Sequence, residues 1–262
     1  MRPEMKALVE KEWWMLRDNL SQLFSGIGMI IFITALSVLV PPTPQSSYAV
    51  YHQITSNPEL FGVSGEIVRS LGRWVFNFGA MVAQIPVVFG ITIYIAIYSY
   101  LANSILSEKT NKTIEVLFST SLHESEIIAS KMITGAFLGI GLVILAFLIN
   151  TLGIEAGFHH YAGTWWMPTR SYLFLMVLFS GAFSALAFPV ALVVGMRGSK
   201  VLMASGTFVV FIPIGVLIFA SRFSATDYVR TMLLIAIAGA GLAVLLTLLS
   251  RRIINRLAFI TN

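Results

Sequence analysis

Long apolar runs, each of about twenty residues or more, alternate along this chain with short polar segments. Six such runs lie at 23–40, 79–106, 132–154, 171–196, 201–220 and 231–250. A hydrocarbon slab about 30 Å thick needs about 20 apolar helical residues to cross it, so each run predicts one spanning helix. The runs are continuous Leu, Ile, Val, Phe, Ala and Gly, not the short alternating segments of a transmembrane barrel. The expected fold is an all-α integral membrane protein with six transmembrane helices. The longest uncharged interval separates Arg73 from Glu108, and its helix is expected to tilt or to overshoot the bilayer.

Ahead of the first run, Met5, Leu8, Val9, Trp13, Leu16, Leu20 and Leu23 recur at three- and four-residue spacing, with Lys6, Glu10, Arg17 and Asp18 on other faces. Residues 1–22 thus read as an N-terminal amphipathic interfacial helix on the cytoplasmic face, with Trp13 and Trp14 at headgroup level. It is either a simple anchor or an elbow that also touches a cytoplasmic partner. The outer loop 41–78 starts with a Pro-rich breaker and then predicts a second interfacial helix. Glu66, Arg69 and Arg73 share one of its faces, and Ile67, Leu71, Trp74, Val75 and Phe78 share another. The next outer loop carries His159, His160, Trp165 and Trp166, in the manner of an aromatic belt. Glu155 and the two histidines have part of a zinc set, but the next histidine, His52, is distant in sequence, so no metal site is expected.

Composition agrees with this layout: 57% of the residues are hydrophobic and 11% charged, against about 25% charged in soluble domains. The distribution of Lys and Arg sets the orientation, because cytoplasmic segments accumulate them. With the N-terminus inside, the cytoplasm receives Arg2, Lys6, Lys11, Arg17, Lys109, Lys112, Lys131, Arg197, Lys200, Arg251, Arg252 and Arg256. The outside keeps only Arg69, Arg73, Arg170, Arg222 and Arg230. Both termini are therefore expected in the cytoplasm, with the spans at 23–250 in the cell membrane and a short basic tail at 251–262. Topology and anionic lipid account for the basic balance, and no nucleic-acid partner is implied. The chain has no cysteine, hence no disulfide or thiolate ligand. No cleavable signal peptide is expected, since the first run follows a mixed-charge segment and ends in "VPPTPQ".

The six runs contain no Asp, Glu, Lys, Arg or His. Intramembrane charges are costly and are kept mainly for proton relays and ion paths, so a proton-driven carrier is disfavoured. "HESE" is not the HExxH of a metallopeptidase, and no run carries a base. "GMRGSK" at 195–200 lacks the spacing of a phosphate-binding loop and fits a tight turn. No catalytic residue, cofactor or ATP site is expected in this chain. Gly135 and Gly139 form a GxxxG step, and Pro86, Pro189 and Pro213 fall inside spans; both are packing devices of polytopic proteins.

The polar segment "SEKTNKTIEVLFSTSLHESEIIASK", residues 107–131, carries seven charges between the second and third runs. It reads as two helical pieces with a break. Asn111 is placed to cap a short helix whose Ile114, Leu117 and Phe118 share one face. Ser121 and Glu124 then form a capping-box pattern ahead of Ile127, Ile128 and the third run. Periodicity alone leaves two readings open: a lever across the bases of two membrane helices, or a solvated loop whose charges enforce topology.

The segment resembles the corresponding loop of type-2 ABC transporter permeases. Glu108, Thr113, Glu115, Leu117, Glu126, Ile127 and Lys131 match that pattern, whereas Lys112 and Leu122 stand where the family commonly has Gly and Pro. The amphipathic segment before the first run and the six runs fit the same architecture more loosely. The resemblance implies the membrane subunit of an ABC exporter: a dimer of six-span subunits, homodimeric or heterodimeric, driven by MgATP in a separate cytoplasmic ATPase. By that resemblance Glu108, Thr113, Ile114, Glu115, Leu117 and Phe118 form the ATPase contact, and Trp13, Trp14 and Arg17 the neighbouring elbow. A secondary carrier or channel acting without an ATPase, and a non-transporting membrane scaffold, are the alternatives.

Overall fold

A computed structural model describes residues 3–18, 27–28, 31–32, 35, 54–56, 58, 63, 65–71, 74–113, 124–163, 165–197, 206 and 228–253. Among these residues the chain forms α1 (Pro3–Asp18), α2 (Gly65–Leu71), α3 (Val75–Thr110), α4 (Glu124–Ala162), α5 (Arg170–Arg197) and α6 (Tyr228–Ile253), with no strand. The expected spans at 23–40 and 201–220 lie almost entirely outside the described residues. So do Ile114, Glu115, Leu117, Phe118 and the Ser121 cap.

Among the described residues, three stretches are long and apolar enough to cross a membrane: Ile85–Thr110 in α3, Glu126–His160 in α4 and Arg170–Met196 in α5. The shorter Met232–Leu248 in α6 is apolar as well. The helices outrun the apolar runs that predict them. The 36 residues of α3 extend about 54 Å at 1.5 Å per residue, well past a slab of about 30 Å. The polar residues at its end bond back onto the helix itself. Ser107 and Thr110 donate to the carbonyls of Ser104 and Leu106, at 2.9 and 2.8 Å.

Helix α3 packs along α5 and, less extensively, against α4, while α6 lies on α5; α1 and α2 both pack on α4. Phe78 at the start of α3 sits edge-on to Phe158 near the end of α4 and to Trp166 beyond it, at 5.6 and 6.2 Å. The buried Ile67 and Leu71 of α2 belong to the same cluster, and Glu66 and Arg69 are exposed. The expected division of faces holds for Glu66, Ile67, Arg69 and Leu71, but α2 ends at Leu71: Arg73 lies outside the described residues, and Val75 and Phe78, expected on the same helix, belong to α3. The most apolar window of α3 is 72% buried and that of α4 only 33%. Phe137, Ile140, Ile144, Leu148 and Leu152 leave an apolar stripe of α4 uncovered in this chain.

Two sequence features acquire specific roles in this packing. A Cβ at Gly139 would come within 2.8 Å of Ile97, so the GxxxG step sets the approach of α4 to α3. Pro86 lacks the N–H that would satisfy the carbonyl four residues earlier. That carbonyl, on Val82, accepts the hydroxyl of Tyr172 from α5 at 2.5 Å.

Candidate functional site

Helix α1 buries Leu8, Glu12 and Leu16, spaced four residues apart on one face, while Trp13, Trp14 and Arg17 are exposed. The apolar spacing in the sequence assigns Trp13 to the same face as Leu8. Packing divides them: the inward face is centred on a carboxylate, and the tryptophans are left for the surroundings. Leu8 joins a small apolar cluster with Ile105 of α3, Ile127 of α4, and Leu192 and Met196 of α5. This cluster gathers the neighbouring ends of three helices under α1.

Beside it lies a buried ionic cluster. Lys131 Nζ donates to Glu12 Oε1 and to Ser104 Oγ, both at 2.6 Å. Glu12 Oε2 accepts from the Tyr100 hydroxyl at 2.8 Å and from Ser104 Oγ at 3.0 Å. Glu108 Oε2 lies 2.9 Å from Lys131 Nζ. That oxygen receives no aligned hydrogen bond, so the contact is a close ion pair whose attraction needs no particular angle. Glu108 Oε1 accepts from Lys11 Nζ at 2.6 Å. Glu12, Glu108 and Lys131 are each at most 3% exposed, whereas the Lys11 side chain is 40% exposed.

The formal charges balance: two carboxylates face two ammonium groups. Burial of charge is tolerated only with such pairing. The consequence is mechanical, because Glu12 is on α1, Ser104 and Glu108 are at the end of α3, and Lys131 is near the start of α4. Both ends of the 107–131 segment are therefore fastened to each other and to α1. The next residue, Lys109, reaches toward a different helix and donates to the Met196 carbonyl at the end of α5, 2.9 Å away, where a cation also complements the helix dipole.

Helix α3 ends one turn later than its apolar run. Asn111 is the C-terminal cap of α3 rather than the start of the next helix, with its N–H on the Ser107 carbonyl at 2.9 Å. Lys112 follows at φ +56°, in the left-handed region. Its N–H bonds the Lys109 carbonyl at 3.2 Å, and the Thr113 hydroxyl bonds the Glu108 carbonyl, also at 3.2 Å. This is the geometry of a helix stop that glycine adopts without strain. One of the two positions at which the loop departs from the pattern it resembles, Lys112 in place of Gly, is thus a left-handed turn residue.

Of the residues assigned to the loop contact, Glu108 faces inward and Thr113 is exposed. Of the elbow residues, Arg17 lies 4.0 Å over the ring of Trp14, and Trp13 and Trp14 are both more than half exposed. Glu12 and the inward role of Lys131 are missed by the sequence reading. The available signal is that Leu8 and Leu16 flank Glu12 at the helical repeat, so a carboxylate occupies the middle of the buried stripe.

The other end of α4 holds Glu155, which accepts the Trp166 N–H at 2.6 Å and lies 3.4 Å from His159 Nδ1. This fastens the connection to α5 against α4. Among the described residues no three His, Cys, Asp or Glu side chains come together.

Compared with protein-family models, with curated proteins and with solved structures, the chain matches none.

Proposed function

We propose that this chain is the membrane subunit of an ATP-driven exporter of the type-2 ABC permease kind, with six spans and both termini in the cytoplasm. It works in the cell membrane as a pair of permease subunits, and the 107–131 loop couples it to a separate cytoplasmic ATPase that binds MgATP. The observation that carries this reading is the buried Glu12–Lys131–Glu108 cluster. A force applied to the loop reaches α3 through Glu108, α4 through Lys131 and α1 through Glu12, and Lys109 extends the connection to α5. A topological loop requires no such bracing.

In this reading the ATPase contact belongs to Thr113, Ile114, Glu115, Leu117 and Phe118. Glu108 is a positioning residue that holds the contact's base from within. The charge-free runs suit an apolar or lipid-like cargo better than a bare ion. The test is co-expression with candidate ATPases, followed by co-purification and cargo-dependent ATP hydrolysis. Glu115→Arg and Phe118→Ala are expected to abolish ATPase stimulation while the permease remains folded. Unchanged assembly and stimulation in both variants would overturn the assignment. Ion-driven flux from the purified chain alone would favour a secondary carrier instead. Single cysteines, placed on a background that has none, test the orientation: labelling of position 115 from outside would reverse it.

A further inference from the structure

A cleft of about 450 Å³ opens between Met15 of α1 and the last turns of α3. Four hydroxyl-bearing residues of α3 line it: Tyr100, Ser104, Ser107 and Thr110. Each gives its one proton to an acceptor within the chain. Tyr100 and Ser104 donate to Glu12 Oε2, Ser107 to the Ser104 carbonyl, and Thr110 to the Leu106 carbonyl. Ser104 also accepts from Lys131, and both Ser104 and Tyr100 are buried. A hydroxyl has one proton and two lone pairs, so the more accessible Ser107 and Thr110 have only lone pairs to offer the cleft. The carboxamides of Asn103 and Asn111 complete the polar wall, and they both donate and accept. The wall is thus rich in acceptors and carries no charged side chain among the described lining residues. It also sits at the C-terminal, negative end of the α3 dipole. A phosphate would meet lone pairs there, whereas a hydrogen-bond donor would meet partners.

Depth in the membrane narrows the choice of ligand. Helix α3 overshoots the hydrocarbon slab, and its last turns stand beside α1, whose exposed Trp13 and Trp14 are suited to headgroup level. The cleft therefore lies where the polar ends of lipids on the α1 side are found, with Met15 as an apolar wall for the lipid's stem. We propose that it binds the headgroup of a phospholipid whose terminus donates hydrogen bonds: the primary ammonium of an aminophospholipid or the hydroxyls of a glycerol headgroup. The site stands whether or not the chain is an exporter.

The test uses the full chain purified in detergent and offered an equimolar mixture of phosphatidylethanolamine, phosphatidylglycerol and phosphatidylcholine with identical acyl chains. Bound lipid is read by native mass spectrometry. All three lipids carry the phosphate, but the choline terminus has no N–H or O–H. The expected result is retention of the ethanolamine lipid, the glycerol lipid or both over the choline lipid by about tenfold, the scale of one net hydrogen bond. Selection of the first alone identifies the ammonium, and of the second alone the hydroxyls. The paired substitution Ser107→Ala and Thr110→Val removes two acceptors with little change of volume. It is expected to erase the selection while the melting temperature stays within about 2 °C of the parent, as for surface substitutions. Retention of the choline lipid equal to or above the others overturns the proposal. So does a selection that survives in the folded double variant.

Discussion

Tyr172 donates its hydroxyl proton to the carbonyl of Val82, 2.5 Å away, and so satisfies from α5 the acceptor that Pro86 leaves open in α3. With Phe at position 172 this carbonyl stays unpaired in a buried interface, at a cost of about 1–3 kcal/mol. In a Pro86→Ala background the restored N–H supplies the helical partner, and the cost of Tyr172→Phe shrinks. A double-mutant cycle of unfolding in detergent measures the difference; equal costs in both backgrounds would show that proline and tyrosine are not coupled.

The buried ionic cluster predicts a graded response to loss of its lysines. Lys131→Met leaves Glu12 and Glu108 buried without their shared cation and is expected to destabilise the fold by about 3–5 kcal/mol. Lys11→Met removes the half-exposed cation and leaves Glu108 its contact with Lys131, so its cost is expected to be the smaller of the two. Thermal unfolding of the two variants in one detergent ranks them. A Lys131 variant as stable as the Lys11 variant would contradict the burial and pairing of Lys131.

At the end of α3, Lys112 holds a left-handed conformation. An L-residue with a Cβ pays for that conformation by about 1–2 kcal/mol relative to the right-handed one, a cost glycine escapes. Lys112→Gly is therefore expected to raise stability by up to about 1 kcal/mol once the freer unfolded chain is counted, and Lys112→Val to lower it. Melting temperatures of the three proteins should run in the order Gly, Lys, Val.

Glycines in these helices separate into contact and surface positions. A Cβ at Gly90 would lie 2.8 Å from the Phe179 ring, and at Gly141 it would meet nothing within 4 Å. Gly90→Ala is expected to lose about 1–3 kcal/mol through overpacking. Gly141→Ala is expected to be neutral or to gain up to about 1 kcal/mol from helix propensity. Unfolding measurements on the pair check whether α3 and α5 approach as closely as described.

Hydrophobic patterning made the apolar helices legible, because crossing a slab requires a length that composition alone reveals. It placed α5 within one residue and α3 within four at each end, whereas α4 runs eight residues past its apolar run at both ends; polar end groups such as Lys109 meet partners on other helices that no local pattern encodes. The α1 face was half legible. Leu8 and Leu16 were visible at helical spacing, but Glu12 between them reads as solvated until Lys131 is known to meet it from far along the chain. The same holds for Glu108, whose match to a family position says nothing of the direction its carboxylate takes. Tyr172 was not legible at all as a partner of Val82. That pairing depends on the register of α5 against α3, which sequence periodicity leaves free.

The Glu12–Lys131 pair also orders events during synthesis. Glu12 emerges 119 residues before its partner, which at about 5–20 residues per second is a wait of about 6–24 s. Its hydroxyl partners on α3, Tyr100 and Ser104, emerge earlier, 88 and 92 residues after Glu12, but the carboxylate has no cation at Oε1 until Lys131 appears. Helix α1 is made before α3 and α4, but its buried carboxylate is neutralised by Lys131 only as the third apolar run begins to leave the ribosome.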